Sequence, residues 1–429
     1  EEKIEVKQLW LDKIPDIIYV DKLKEKYNYT KLPYIINPVI GEYDDPSNQK
    51  QELLTLDLSH NGNTIIYGGS GSGKSTLVSD VIYSSIIDHD ANEVNFYIMD
   101  FGSEILRIFK KAPHVGDVIL VNDVEKVTNL FKMLNSLINT RKKLFVEFNG
   151  NFNYYNRKSN KKVPLIAVII NNFEAFSENY EKYEDTLLQL TREGPKYGVV
   201  FIITVNGVNS VRYRLKQNFS QEFVLQMNDD ADYISILGNT NKVYPSKIFG
   251  GLLKLDKVYE FQTAYPYNPE NMSEYISIIC TKLRDKTKIF AEPVKILPDI
   301  VTEDYISSKL LGLESVPIGI DKSSLSEMIF LNAGAILIYS KTNQGAVLGA
   351  LTQTFDKYLY EMLKCVYRDN ETCTFDPLCM NTSNGSCCAC TYLDEVACEH
   401  FNKDLSRRLL YGYEEKGTDE KIINFWEEI

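Results

Sequence analysis

The sequence predicts an α/β fold in which a parallel central sheet carries a phosphate-binding loop. Three observations predict it. Residues 68–76 read Gly-Gly-Ser-Gly-Ser-Gly-Lys-Ser-Thr, and Gly68, four residues, then Gly73-Lys74-Ser75 is the spacing of a P-loop. The apolar stretch Thr64–Tyr67 before the loop suits a buried strand, and Thr76–Ile82 after it is apolar at helical spacing. Across residues 51–265, short apolar runs then alternate with helical patterns, as a parallel sheet with crossover helices requires.

The loop's chemistry follows from its residue types. Gly68, Gly69, Gly71 and Gly73 let backbone N–H groups wrap a polyphosphate without Cβ clashes, and Ser70, Ser72 and Thr76 complete the cradle. The following helix offers its positive end to an anion. Lys74 is placed to reach the β- and γ-phosphates, and the Ser75 hydroxyl is placed to ligate Mg²⁺. ATP and Mg²⁺ are the expected cofactors. A glycine turn that binds nothing would leave the Lys-Ser pair and both flanking elements without a reason.

The remaining strands are expected near Asn63–Tyr67, Val94–Asp100, Val118–Val121, Leu165–Ile170 and Val199–Val205. Helices are expected at Lys74–Asp88, Glu125–Glu147, Tyr180–Gly194 and Asp230–Leu237. A P-loop site also needs a carboxylate at the end of a second strand, the Walker B position. The strand from Leu165 ends instead in Asn171-Asn172-Phe173-Glu174. A neutral amide supplies neither charge nor base, so binding survives but hydrolysis is slow unless Glu174, Asp100 or a neighbouring subunit contributes an acid. The same residues also read as an ordinary core strand with Asn capping its turn. Asp100, Thr204 and Asn206 stand at other strand ends, where ligands of such sheets collect and where turn chemistry is an equal explanation. Arg192, Arg212 and Arg214 are candidates for an arginine finger toward a neighbour's site, with solvated surface as the competing reading for each.

The 429 residues are enough for two or three domains. The composition, 44% hydrophobic and 25% charged, is that of a soluble globular protein. No apolar run approaches the ~18 residues of a membrane span. The chain begins at Glu1 rather than Met, which reads as a fragment with any membrane anchor upstream. The net charge of −12 weighs against a phosphate backbone as the main partner, although a ring acidic outside and basic in its pore is compatible with it.

Four segments are expected: lead-in strands over 1–50, the P-loop domain over 51–268, a degenerate second module over 272–356 and a Cys-rich tail over 357–429. The second module rests on an internal repeat. Gly334–Tyr339 echoes Gly62–Tyr67, and Ser340-Lys341-Thr342-Asn343-Gln344-Gly345 stands where the P-loop stood. There Ala346 and Val347 replace the lysine and serine, so this copy has lost its phosphate chemistry. In the tail, Cys379, Cys387, Cys390 and Cys398 have the order Cys-x₇-Cys-x₂-Cys-x₇-Cys. Four thiolates suit tetrahedral Zn²⁺; free cysteines or disulfides are the other reading.

The GGSGSGKST loop, the strand into Asp100-Phe101-Gly102, the Pro113-His114 turn, the Arg192-Glu193-Gly194…Gly198 segment and Asp229-Asp230-Ala231-Asp232-Tyr233…Leu237-Gly238 together resemble the FtsK/SpoIIIE/HerA division of P-loop ATPases. Within that division the chain is most similar to the EssC/EccC-type membrane ATPases of type VII secretion, over roughly residues 5–355. The resemblance implies an RecA/FtsK-like ATPase domain at the cytoplasmic side of the bacterial membrane, tandem modules of which the later are often degenerate, and assembly into a ring. It further implies other subunits of the secretion machine and small helical secreted proteins, recognised by C-terminal signals, as partners. Lys74, Asn172, Glu174 and Arg192 are the expected catalytic residues from the loop, the strand end and the flanking helix, and Asn171 is expected beside the nucleotide. The segment Cys387–Leu410 resembles a different family, the Cys-rich C-terminal domain of DISARM-type helicase-associated proteins.

The expected function is therefore a cytosolic ATPase-domain fragment of a type VII secretion motor. It binds ATP with Mg²⁺, hydrolyses it weakly, and recruits or drives export of small helical proteins. A nucleotide-responsive scaffold without turnover and a DNA translocase or phage-defence ATPase are the alternatives.

Overall fold

The computed structural model describes residues 12–238, 245 and 249–296, together with the strands at 315–320 and 327–331. Ten strands form one sheet. In chain order they are β1 (Val39–Asp45), β2 (Lys50–Thr55), β3 (Thr64–Tyr67), β4 (Val94–Asp100), β5 (Val115–Ile119), β6 (Leu165–Asn171), β7 (Val199–Val205), β8 (Gln221–Leu225), β9 (Gly250–Lys254) and β10 (Val258–Thr263). Across the sheet the order is β2-β1-β10-β9-β8-β3-β7-β6-β4-β5. From β8 to β5 all neighbours are parallel. From β8 outward through β9, β10, β1 and β2 all are antiparallel.

The parallel half matches the α/β expectation. Every residue of β4, β6 and β7 is buried, which is why these strands read as unbroken apolar runs rather than alternating ones. Alternate residues nonetheless serve opposite faces. Phe96, Ile98, Ala167, Ile169 and Ile202 join one core, which the helix after the loop completes with Leu77, Val78, Val81 and Ile82. Tyr97, Met99, Val168, Ile170, Phe201 and Ile203 join the other. Each such aliphatic or aromatic side chain contributes about 1.5–3 kcal/mol by leaving water.

The helices are α1 (Val20–Lys26), α2 (Lys74–Asp88), α3 (Val124–Leu144), α4 (Phe152–Lys158), α5 (Phe173–Asn179), α6 (Glu184–Glu193), α7 (Tyr213–Lys216), α8 (Asp230–Leu237) and α9 (Met272–Lys286). Leu130 and Leu134 of α3, Phe176 of α5 and Leu187 and Leu190 of α6 cover the second face. The helix expected over 125–147 ends at Leu144, and α6 starts at Glu184, after a 3-10 turn at Glu181–Tyr183. Arg141, only 3% exposed, fixes the base of this layer. Its guanidinium donates to the carbonyls of Tyr197, Gly198 and Pro164 at 2.7, 3.1 and 2.6 Å.

The antiparallel half is what the sequence reading left unspecified. β1 and β2, on either side of the Pro46–Asn48 turn, pair with each other, and β1 also pairs with β10 with Gly41 opposite Thr263. Ile276 and Cys280 of α9 join the core that holds Leu106 and Phe109. The chain divides after Ile296 into two units. Of the second unit, β11 (Ser315–Ile320) and β12 (Glu327–Leu331) form an antiparallel pair. The repeat over 334–351 and Cys379, Cys387, Cys390 and Cys398 lie outside the described residues. No helix among the described residues is long and apolar enough to cross a membrane.

Candidate functional site

The loop between β3 and α2 lies at the C-terminal edge of the parallel half, between the ends of β8 and β7. Gly68 N donates to Val205 O at 3.0 Å and Gly69 N to Gln226 O at 2.8 Å, pinning the loop to both neighbours. The glycines are required sterically. A Cβ on Gly68 would lie 2.3 Å from Ser72 Oγ, and one on Gly69 2.6 Å from Asn228 Oδ1. Gly73 has φ +100°, and a Cβ there would lie 2.2 Å from the Phe249 ring. These absent Cβ atoms leave the backbone cradle that a polyphosphate needs.

Lys74 is folded back on this cradle. Its Nζ donates to Gly68 O at 2.6 Å, Gly69 O at 2.8 Å and Asn206 Oδ1 at 3.0 Å. Burial lowers its pKa and nearby Glu174 opposes that shift. Asn206 links the two charges, because its own N–H donates to Glu174 Oε1 at 2.6 Å. Glu174 Oε2 is buried without a hydrogen-bond partner among the described residues, as is Ser72 Oγ. The unpartnered Ser72 hydroxyl beside an ammonium and a glycine cradle fits a ligand carrying phosphates, whereas Glu174 Oε2, an acceptor itself, suits a water rather than a phosphate oxygen. The cradle therefore fits ATP.

The Walker B edge is built from four side chains. β4 and β6 run in register, so Asp100 and Asn171 sit side by side at the strand ends. Asn171 Nδ2 donates to Asp100 Oδ1 at 2.8 Å and lies 3.4 Å from Ser75 Oγ. Asn171 Oδ1 accepts from Thr204 Oγ1 at 3.0 Å, and Thr204 Oγ1 accepts from Asn172 N at 2.8 Å. Asp100 Oδ2 is occupied by Leu106 N at 2.9 Å. Asp100, Asn171 and Thr204 are 1%, 3% and 0% exposed.

This network decides which way the Asn171 amide points. Thr204 has one hydroxyl hydrogen. A hydroxyl can also accept twice, so Thr204 alone allows either orientation; the Asp100 carboxylate only accepts, which turns Nδ2 toward Asp100 and puts the Thr204 hydrogen on Asn171 Oδ1. The amide therefore presents its NH₂ side to Ser75 and Asp100. An NH₂ group carries no lone pair for a hard cation. Ser75 Oγ has the right donor type for Mg²⁺, but the strand end beside it does not fit the ion. Asn171 is thus a hydrogen-bonding partner of Asp100 and Ser75 rather than a metal ligand.

The other expected catalytic residues divide. Asn172 (φ +73°) is the N-cap of α5, accepting Ala175 N at 3.3 Å and donating to Phe101 O at 3.1 Å. Its side chain is spent on turn and cap. Glu174 reaches the Lys74 side of the site. Arg192 does not: it is at the end of α6, 66% exposed and 3.7 Å from Glu193. It precedes β7, whose seven residues separate it from Thr204 and Asn206 by about 20 Å of strand. Arg212 is tied to Glu184 at 2.8 Å. Asn228 and Phe249, which close on the loop from the ends of β8 and β9, were missed; only the strand order brings them there.

The match to known proteins follows this geometry. Residues 39–238 match the FtsK/SpoIIIE family. The FtsK/SpoIIIE match spans β1 to α8 and so contains the loop, the Asn171 strand and Glu174. It ends before the Cys-rich segment and carries nothing about it. An ESX secretion system protein EccC of Geobacillus thermodenitrificans is 26% identical over 297 residues, 67% of this chain and 20% of its own length. A type VII secretion system protein EssC of Staphylococcus aureus is 24% identical over 334 residues, 74% of this chain and 22% of its own. The chain thus spans about a fifth of the curated relatives it matches. Among solved structures, EssC (ATPases 2 and 3) from Geobacillus thermodenitrificans superposes with TM-score 0.70 at 22% identity, covering 80% of this chain and 67% of that one. Thermomonospora curvata EccC (ATPases 2 and 3), in complex with a signal sequence peptide, gives 0.62 at 24% identity, covering 76% and 61%. These similarities show a shared fold.

Proposed function

We propose that the chain is a nucleotide-binding module of a type VII secretion motor, binding ATP at Gly68–Thr76 and turning it over slowly. The single observation that carries the binding half is the cradle itself, with Lys74 and Ser72 converging on it. Slow turnover follows from the Asn171 amide at the position where phosphoryl transfer needs a carboxylate. On binding, Lys74 leaves the carbonyls of Gly68 and Gly69 for the phosphates and carries Asn206 with it. Glu174 Oε2 then faces the terminal phosphate as the acid available to orient water.

The secretion assignment is supported by the EccC and EssC relatives. It places the module on the cytoplasmic side of the membrane, in a ring with its neighbours, where Arg192 would serve only across a subunit boundary. Small helical proteins with C-terminal signals are the proposed cargo, in line with the peptide held by the EccC neighbour. The test measures ATP affinity and phosphate release together, with and without a cargo C-terminal peptide. The reading predicts binding with little release. Release at a rate ordinary for motor ATPases would refute the slow-turnover half, and absent ATP binding would refute the whole. The competing DNA-translocase reading predicts a DNA shift with a steep salt slope.

A further inference from the structure

We infer that this site takes its nucleotide with little dependence on Mg²⁺; the inference rests on the nucleotide-binding reading above. In a P-loop site the metal is held between the loop hydroxyl and a carboxylate at the neighbouring strand end. Here the hydroxyl is present and the carboxylate has moved one strand over. Asn171 Nδ2 occupies the space beside Ser75 Oγ at 3.4 Å and is held there from two sides. Asp100 Oδ1 draws the NH₂ group at 2.8 Å, and the Thr204 hydroxyl holds the carbonyl end at 3.0 Å.

Turning the amide to offer its oxygen to a cation would break both bonds. It would also set that oxygen against the Asp100 carboxylate, inside a region where all three side chains are nearly inaccessible. Thr204 can accept from the turned amide, but the lost Asp100 bond and the facing of two oxygens offset much of what an amide–cation contact returns. Asp100 cannot replace it without releasing Leu106 N, which its second oxygen holds at 2.9 Å. The cation keeps one protein oxygen, Ser75 Oγ, and otherwise depends on the nucleotide and water. The neutralisation that the metal normally supplies falls to Lys74, the loop N–H groups and the N-terminus of α2.

The experiment is a titration of the full chain with a fluorescent ATP analogue, in millimolar Mg²⁺ and in excess EDTA, alongside the variant Asn171→Asp. The wild type is expected to bind in EDTA within about threefold of its affinity in Mg²⁺. Asn171→Asp puts two carboxylates side by side, and is expected to bind about tenfold or more tightly with Mg²⁺ than without it. A wild type that weakens by about tenfold or more in EDTA overturns the inference while leaving the nucleotide reading intact. Absence of binding in both buffers overturns the nucleotide reading and the inference with it. Should Asn171→Asp fail to fold, the two wild-type titrations decide the question alone.

Discussion

Asn171 Nδ2 and Asp100 Oδ1 stand 2.8 Å apart at the ends of two adjacent parallel strands. The acid of this site therefore sits on β4, and the amide that it grips occupies the β6 position nearest the loop. Asp100→Asn tests how far the arrangement depends on charge. A carboxylate accepts both Asn171 Nδ2 and Leu106 N, whereas an amide has a single oxygen for the two donors. With Asn171 held as it is, one buried donor is left unpaired, so the variant should lose about 1–3 kcal/mol despite its unchanged shape; a turned Asn171 donating to Thr204 would reduce the loss. Urea denaturation measures this; unchanged stability would show that the pair is not held as described.

Gly73→Ala addresses the loop. The residue has φ +100° and its new Cβ would meet the Phe249 ring at 2.2 Å. The backbone strain alone amounts to about 1–3 kcal/mol, and the ring must also move. The expected outcome is a lower melting temperature together with weakened ATP binding. If Gly73→Ala,Phe249→Ala restores part of the melting temperature, the clash is confirmed as a separate contribution.

Arg141→Met removes three donors from the carbonyls of Tyr197, Gly198 and Pro164. It also removes the guanidinium 5.8 Å above the Phe152 ring. Burial lowers the arginine's pKa to about 10, so it remains charged at neutral pH while its hydrogen bonds go to carbonyl oxygens. Stranding these acceptors should destabilise the unit by about 3 kcal/mol. Because this base lies at the N-terminal end of β7, ATP affinity in the folded fraction should stay unchanged.

His114 gives a pH dependence of defined sign. Burial pushes its pKa down to about 4 from 6.5, with its ring 2.7 Å from His89 O. The unfolded chain therefore binds a proton that the folded chain refuses. The neutral histidine's contribution is full above pH 6.5 and is lost as pH falls from 6.5 toward 4. At pH 5.5 the loss amounts to roughly 1 kcal/mol. The wild type should thus lose more stability between pH 7.5 and 5.5 than His114→Gln; parallel losses would contradict a neutral buried ring.

The parallel half of the fold was legible because its strands are buried on both faces and read as plain apolar runs. Helix α8, expected over Asp230–Leu237, is found there, since Asp229 caps it and Gly238 ends it. The antiparallel half was not legible. β9 and β10 are short, and β10 finds its place by pairing with β1 across more than two hundred residues of chain. At the site, Lys74 and its loop are a local pattern and were readable. Which strand end lies beside Asn171 is a question of register between β4 and β6, and which way Asn171 points depends on the Asp100 carboxylate that this register brings to it. Neither leaves a mark in the spacing of residues.

Nucleotide binding at Gly68–Thr76 through Lys74 is what the proposed function requires first. It is tested most directly by calorimetric titration of ATP into the wild type and Lys74→Ala. Lys74 is half-buried and its Nζ bonds only to the loop carbonyls and Asn206, so the variant should fold. The account predicts measurable binding by the wild type and an affinity about tenfold or more weaker in the variant. Equal affinity in the two proteins would contradict it.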